Sequence, residues 1–318
     1  MNNQVNQLFQ EQLENWTLAS DNFKALINIR TKDEKVNGVN YRVQFNPSRI
    51  ISSGAKVDKK SINERKCFLC KENRPIEQQE VVYKEYNILV NPYPIFPKHL
   101  TISDTLHKDQ LIYNRVSDLL DLSYQLDKYV LFYNGPKSGA SAPDHMHFHA
   151  GNKGFLPIQA GIENITKKSI SLFESAELFL LNDQPRNSLL IKGKSIADID
   201  ELFNKVYNVL PIIDSNSEPM LNLLSWYEDN EWFLIILLRK KHRPDCYFAK
   251  DQNKLLISPA SVDLGGVFIT PVESDFNKVN GEMIKTIIEE IINAKNTRIT
   301  ESINDSPIIK HLISVNTG

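Results

Sequence analysis

The stretch YVLFYNGPKSGASAPDHMHFHAG, residues 129–151, carries the reading of the whole chain. Tyr129 to Asn134 are rich in aromatic and aliphatic residues and predict a strand. The loop Asn134-Gly135-Pro-Lys-Ser138-Gly139-Ala-Ser141 follows, and then His145-Met-His147-Phe-His149. Side chains in a strand alternate faces, so His145, His147 and His149 line one face, about 6–7 Å between successive imidazoles. Met146 and Phe148 point the other way, into the core. Three readings fit the histidines at this point: a solvated strand, a metal site built from all of them, or nucleophilic catalysis. The loop favours the last. Its glycines let backbone N–H groups approach a ligand closely, and its hydroxyl and amide donors suit phosphate oxygens.

Outward from this stretch, residues 108–128 carry apolar positions at three- and four-residue steps and predict a helix. NILVNPYPIFPKHLTIS reads as two strand-like runs separated by prolines. FKALINIR and YRVQFNP alternate like strands, and Val5, Phe9, Leu13 and Trp16 give residues 4–18 one apolar helical face. The order makes a mixed α+β unit, residues 1–160. Residues 161–195 read as a crossing segment, with Phe173, Leu178, Leu180 and Leu181 marking a strand. Residues 196–318 hold a second helix (IADIDELFNKVYNVL), a hairpin on Asp229-Asn230, the strand-like SPASVDLGGVFITP and a final helix near 280–294. This second half repeats the first without its histidines, which suggests duplication with one active half.

With 41% hydrophobic and 24% charged residues in 318, the chain has material for one large core or two moderate ones. A formal net charge of −2 supplies no general attraction to nucleic acid or an anionic membrane, so any phosphate must be held by local groups. No apolar run reaches the roughly 20 residues of a membrane span. The polar start does not read as a signal peptide, and a cytoplasmic location is expected. Three cysteines are too few for a disulfide scaffold. Two of them form Cys67-Phe-Leu-Cys70, half of a tetrahedral zinc knuckle by spacing, with a free thiol pair or a redox pair as the other readings.

The pattern N-G-x-x-S-G-A-S-A-P-x-H-x-H-x-H at 134–149 resembles the histidine-triad superfamily. The similarity is to the branch that holds galactose-1-phosphate uridylyltransferase, diadenosine tetraphosphate phosphorylase and the GDP-sugar phosphorylases. Three other stretches are similar to that branch: Gln44-Phe-Asn46-Pro-Ser-Arg49, Asn91-Pro-Tyr-Pro94 through His99-Leu-Thr-Ile, and Ser258 through Gly265-Gly266. The resemblance implies an α+β fold of two histidine-triad-like halves, each a mostly antiparallel sheet with packed helices. It implies that His147 is the nucleophile of a nucleotidyltransferase or phosphorylase, forming a covalent nucleotidyl-histidine.

The expected substrate is a nucleotide sugar or dinucleoside polyphosphate, with orthophosphate or a sugar phosphate as acceptor and a homodimer as an oligomeric option. A nucleotide hydrolase and a non-catalytic nucleotide-binding regulatory protein are the alternatives. Asn46, Arg49, Asn134, Gly135, Ser138, Gly139 and Ser141 are the expected nucleotide and phosphate contacts. His149 stands where many transferases of the branch carry glutamine and the hydrolases histidine, so it leaves transfer and hydrolysis open. The resemblance also implies structural zinc on Cys67, Cys70, His99 and His145. His107 reads as a surface residue. The basic run Arg239-Lys-Lys-His242-Arg243 reads equally as a solvated hairpin end or as a reach toward phosphates.

Overall fold

A computed structural model describes residues 1–54, 57–212 and 218–292. Its strands are β1 (Arg30–Val36), β2 (Val39–Phe45), β3 (Glu80–Tyr83), β4 (Tyr86–Val90), β5 (His99–Asp104), β6 (Tyr129–Asn134), β7 (His147–Asn152), β8 (Lys167–Phe173), β9 (Ala176–Leu181), β10 (Leu189–Gly193), β11 (Leu221–Glu228), β12 (Glu231–Leu238) and β13 (Val267–Thr270). Ten of them make one sheet in the order β3-β4-β5-β7-β6-β11-β12-β10-β9-β8, with every neighbouring pair antiparallel. Read inward from either edge, this is the same path. Helix Val116–Gln125 precedes β6 as helix Ile196–Val209 precedes β11, and β6 and β11 pair at the centre. The fold class is therefore α+β, with the repeat that the sequence suggests.

The sheet separates two apolar layers. On one face Met146, just before β7, and Phe148 and Ala150 of β7 pack with Leu119, Leu120 and Leu122 of the first helix and with Leu202, Phe203 and Val206 of the second. On the other face lie Phe132, Leu224 and Ile235, covered by the small sheet β1-β2-β13 and by helix Gly281–Ile291, which buries Ile284, Ile287, Ile288 and Ile291. The hairpin turn at Asp229-Asn230 takes φ values of 51° and 62°. Positive φ at both central residues is what a two-residue turn needs to match strand twist. No helix among the described residues is long and apolar enough to cross a membrane.

Several expected elements differ. Residues 161–195 do not simply cross over: they contain β8, β9 and β10, whose edge position leaves β8 largely polar. FKALINIR belongs mostly to helix Thr17–Ile27, because Ala19 and Phe23 are buried one turn apart and Phe23 meets Phe9 edge-on at 4.9 Å. The helix expected over 108–128 is only Val116–Gln125. Before it, the backbone of Lys108 and Gln110 is bonded to Met146 and Pro143, and so is not free to close helical turns. SPASVDLGGVFITP is a short helix, Ser261–Leu264, followed by β13. The last helix ends at Ile291, and residues 293–318 of the expected second half lie outside the described residues.

Candidate active site and metal cluster

β5 and β7 run antiparallel with Ser103 opposite His147, Thr101 opposite His149 and His99 opposite Gly151. Alternation sends these residues away from the face that buries Met146 and Phe148. His147 is 2% exposed, and its Nδ1 lies 2.8 Å from the His145 carbonyl. A carbonyl can only accept, so Nδ1 carries the proton and Nε2 keeps its lone pair. Burial pushes His147 down to about 4, which holds the ring neutral near pH 7. The geometry thus supplies the proton partner that a buried imidazole nucleophile needs.

Gln110 holds this segment from behind. Its Oε1 accepts the His147 backbone N–H at 2.7 Å, and its Nε2 donates to the carbonyls of His147 (2.9 Å) and Asn134 (3.0 Å). One fully buried side chain therefore joins the ends of β6 and β7.

His147 and His149 open onto a cavity of about 680 Å³. Arg49 reaches it and donates to the Tyr93 carbonyl at 2.8 Å, and burial lowers its guanidinium to about 10. Asn134 lines it with its side-chain oxygen already engaged: Oδ1 accepts from Asn222 Nδ2, Ser261 N and Ser261 Oγ. Gly139 and Ser141 also line it. Gly139 takes φ +102°, and a Cβ there would meet Ala260 at 2.6 Å, so the loop and the second half close on each other only through glycine. Gly135 and Ser138 do not line the cavity; the Gly135 carbonyl accepts the N–H groups of Ser138 and Ala140 and closes the loop on itself. Asn46 is likewise behind the wall. Its amide donates to Gln44 and to the Pro94 carbonyl and accepts from Ser48, which makes it the turn former rather than a cavity contact.

The metal ligands need one correction. Cys67, Cys70, His145 and His107 bring their donor atoms within 4.8 Å of one another, and His99 is not among them. His107 lies just past the end of β5, beside the start of β7. His99 is at the other end of β5, five residues from Asp104 and about 17 Å away by strand rise. Its ring instead lines the cavity, with Nδ1 accepting the Ile95 N–H at 3.2 Å.

The cluster fits a tetrahedral ion. Cys67 Sγ to His145 Nδ1 is 3.3 Å, Cys70 Sγ to His107 Nδ1 is 3.2 Å and Cys70 Sγ to His145 Nδ1 is 3.6 Å. Ligand–ligand edges of a zinc tetrahedron are roughly 3.3–3.8 Å from its usual bond lengths. His145 Nε2 lies 2.9 Å from the Asp104 carbonyl, which takes its proton and leaves Nδ1 as the ligand atom. Against the cost of burial, hydrogen bonds from His145 and from the backbone lower the Cys67 thiol to about 6. Burial and the adjacent Cys67 sulfur raise Cys70 to about 11. Two thiols that resist sharing a second negative charge are what a bound cation would relieve.

Residues 8–152 match a family described as "Domain of unknown function (DUF4922)". No curated protein matches the chain by sequence. Among solved structures, yeast Ap4A phosphorylase Apa2 is similar with a TM-score of 0.59 at 16% identity, covering 87% of this chain and 96% of that one. The same yeast enzyme in complex with Ap4A gives 0.55 at 18% identity over 87% and 96%, and in complex with AMP 0.53 at 17% over 88% and 96%. The chain shares the fold of that yeast enzyme.

Within this fold the second half supplies cavity residues that its sequence leaves ambiguous. His242 and Arg243 line the wall facing the histidines, as do Ser258 and Asp263. Arg239, 4% exposed, braces them: Nη2 donates to the carbonyls of Lys241 and His242, and Nη1 to Asn222 and the Pro259 carbonyl. The basic run is therefore split, with Arg239 structural and His242 and Arg243 at the cavity. Asp263, buried and raised to about 6 by that burial, accepts the N–H groups of Ala260 and Ile269. Gln110 belongs to no motif; Asn91 and Thr101 lie in the stretch similar to that branch, but strand register alone brings Thr101 beside His149.

Proposed function

We propose that the protein is a nucleotidyltransferase of the phosphorylase kind, acting on a dinucleoside polyphosphate or nucleoside-diphosphate sugar through a covalent nucleotidyl-His147 intermediate. The observation that carries this reading is His147 itself, a buried neutral imidazole with Nδ1 bonded to the His145 carbonyl and its ring lining the cavity. Nε2 attacks the α-phosphorus, and the charge that develops on the ring is shared with that carbonyl. Arg49 and the loop residues Gly139 and Ser141, with His242 and Arg243 opposite, are the groups available to the phosphate oxygens; Asn134 offers its amide N–H. Likeness to an enzyme whose structure holds Ap4A supports a nucleotide donor. Orthophosphate or a sugar phosphate is the acceptor in this reading. The histidine at position 149, as in the hydrolases, favours water as the second reading.

Zinc is proposed on Cys67, Cys70, His107 and His145. When bound it would supply a fixed cross-link between the cysteine turn and the start of β7. The attacking group, its proton partner and the phosphate contacts remain the chain's own.

The test is to incubate the protein with α-labelled Ap4A, GDP-sugars and UDP-sugars and to look for an acid-labile label on the chain. Label that disappears in His147→Ala is expected. Undiminished label in that variant, or none from any donor, removes the assignment. With orthophosphate present, a nucleoside diphosphate product marks phosphorolysis and a monophosphate marks hydrolysis.

A further inference from the structure

His149 ends a run of hydrogen bonds whose direction is set at its far end. The Tyr93 backbone N–H donates to Asn91 Oδ1 at 2.9 Å, which makes that atom the oxygen and Nδ2 the donor. Asn91 Nδ2 in turn donates to Thr101 Oγ1 at 2.9 Å. The Thr101 hydroxyl still has its own hydrogen to place, and His149 Nδ1 lies 3.4 Å away across the strand pair. Thr101 is buried, and a buried hydroxyl hydrogen left without an acceptor is costly. The neighbouring imidazole of His99, 5.5 Å off between ring centres, cannot take it. Its Nδ1 already accepts the Ile95 N–H, so its own proton sits on Nε2.

We propose that Asn91 and Thr101 are positioning residues that hold His149 as the neutral Nε2–H tautomer, a fixed hydrogen-bond donor to phosphate, and that this restricts the donor substrate to phosphoanhydrides. The proposal rests on the nucleotidyl-transfer reading and sharpens it. Burial, with His147, His99 and Arg49 close by, keeps His149 well below the ordinary imidazole range, so the ring has no second proton to release near neutral pH. Phe132 stacks on the ring at 5.1 Å and 15°, which fixes its plane. A neutral N–H offers a phosphate oxygen what a glutamine amide offers.

In the transfer step a bond forms from His147 Nε2 to the α-phosphorus as the bond from that phosphorus to the bridging oxygen breaks. The electron pair departs with that oxygen as a phosphate-type anion, and no proton crosses from His149. Leaving groups stable as anions suit such a site. An amine or alkoxide needs a proton that His149 in this state does not deliver. The Leu100 backbone also meets the His149 ring, so the tautomer is the point to measure.

Two-bond proton–nitrogen correlation spectra of the full chain carrying nitrogen-15 histidine read it without turnover, His149 being assigned by the signals lost in His149→Gln. The expected result is the Nε2–H pattern in the wild type, moving toward a tautomer mixture in Thr101→Val. An Nδ1–H or doubly protonated His149 in the wild type near neutral pH overturns the relay, and this spectrum decides even if Thr101→Val does not fold. For the substrate class, labelling of His147 by Ap4A is expected without labelling by adenosine phosphoramidate; equal labelling by both overturns the restriction. His149→Ala is expected to slow labelling about 100-fold, and His149→Gln to recover at least about ten-fold of that. A glutamine variant as slow as alanine overturns the donor role. Absence of label from every donor defeats nucleotidyl transfer, and with it the restriction, while the spectrum still judges the relay.

Discussion

Gln110 shows how much of the site depends on a single side chain that no motif marks. Replacing it by leucine keeps the volume but orphans the His147 N–H and the carbonyls of His147 and Asn134. Each unpaired buried group costs about 1–3 kcal/mol, and the expected loss is about 3–5 kcal/mol in urea unfolding. A loss below about 1 kcal/mol would mean that the strand ends hold each other without it. In the sequence Gln110 sits inside a periodic stretch that reads as helix, and nothing local says otherwise. His147 is the opposite case, since its neighbours in the chain announce it. Asn46, an expected nucleotide or phosphate contact, instead forms a turn because Pro94 and Ser48 use up its amide.

At the level of elements, the decisive fact is which ends of β5 and β7 meet. Antiparallel pairing places the exit of β5 beside the entrance of β7, so His107 joins Cys67, Cys70 and His145 while His99 goes to the cavity. Protein purified without chelator is expected to carry about one zinc per chain in the wild type and in His99→Ala, and well below that in His107→Ala and Cys67→Ser. Metal analysis that found His99→Ala depleted and His107→Ala full would restore the sequence-based ligand set. The same pairing accounts for the shortened helix at 116–125, whose expected first turns are drawn off to bond the loop before β7. At the other edge of the sheet, Phe173, Leu178, Leu180 and Leu181 mark a strand in sequence, while the polar edge strand β8 hides the extent of the sheet there.

Across the whole molecule, the halves meet at β6 and β11, and Glu218 is buried beside that seam. Its carboxylate accepts from the Tyr133 hydroxyl and, at 2.7 Å, from the Ile112 N–H, yet burial outweighs both and raises it to about 7. The native chain then keeps a proton that the unfolded chain, near the ordinary value of 4.5, has already lost. Stability from this group is therefore greatest on the acid side and declines as pH rises from about 4.5 to about 7. Thermal melting across that range is expected to show a shallower decline for Glu218→Gln than for the wild type, and parallel curves would place the proton elsewhere.

The sequence by itself determined the strand of His147 and His149, the glycine loop, the α+β class and its internal repeat; His145, expected in the same strand, lies just before it at the metal cluster. The tertiary structure decided the fourth member of the metal cluster, the sorting of the expected phosphate contacts into wall and backing, the entry of His242 and Arg243 into the cavity, and the relay behind His149. Those depend on strand register and on contacts between residues far apart in sequence. A shift of one residue in register would turn Thr101 to the opposite face of the sheet, and no local pattern in the chain records that choice.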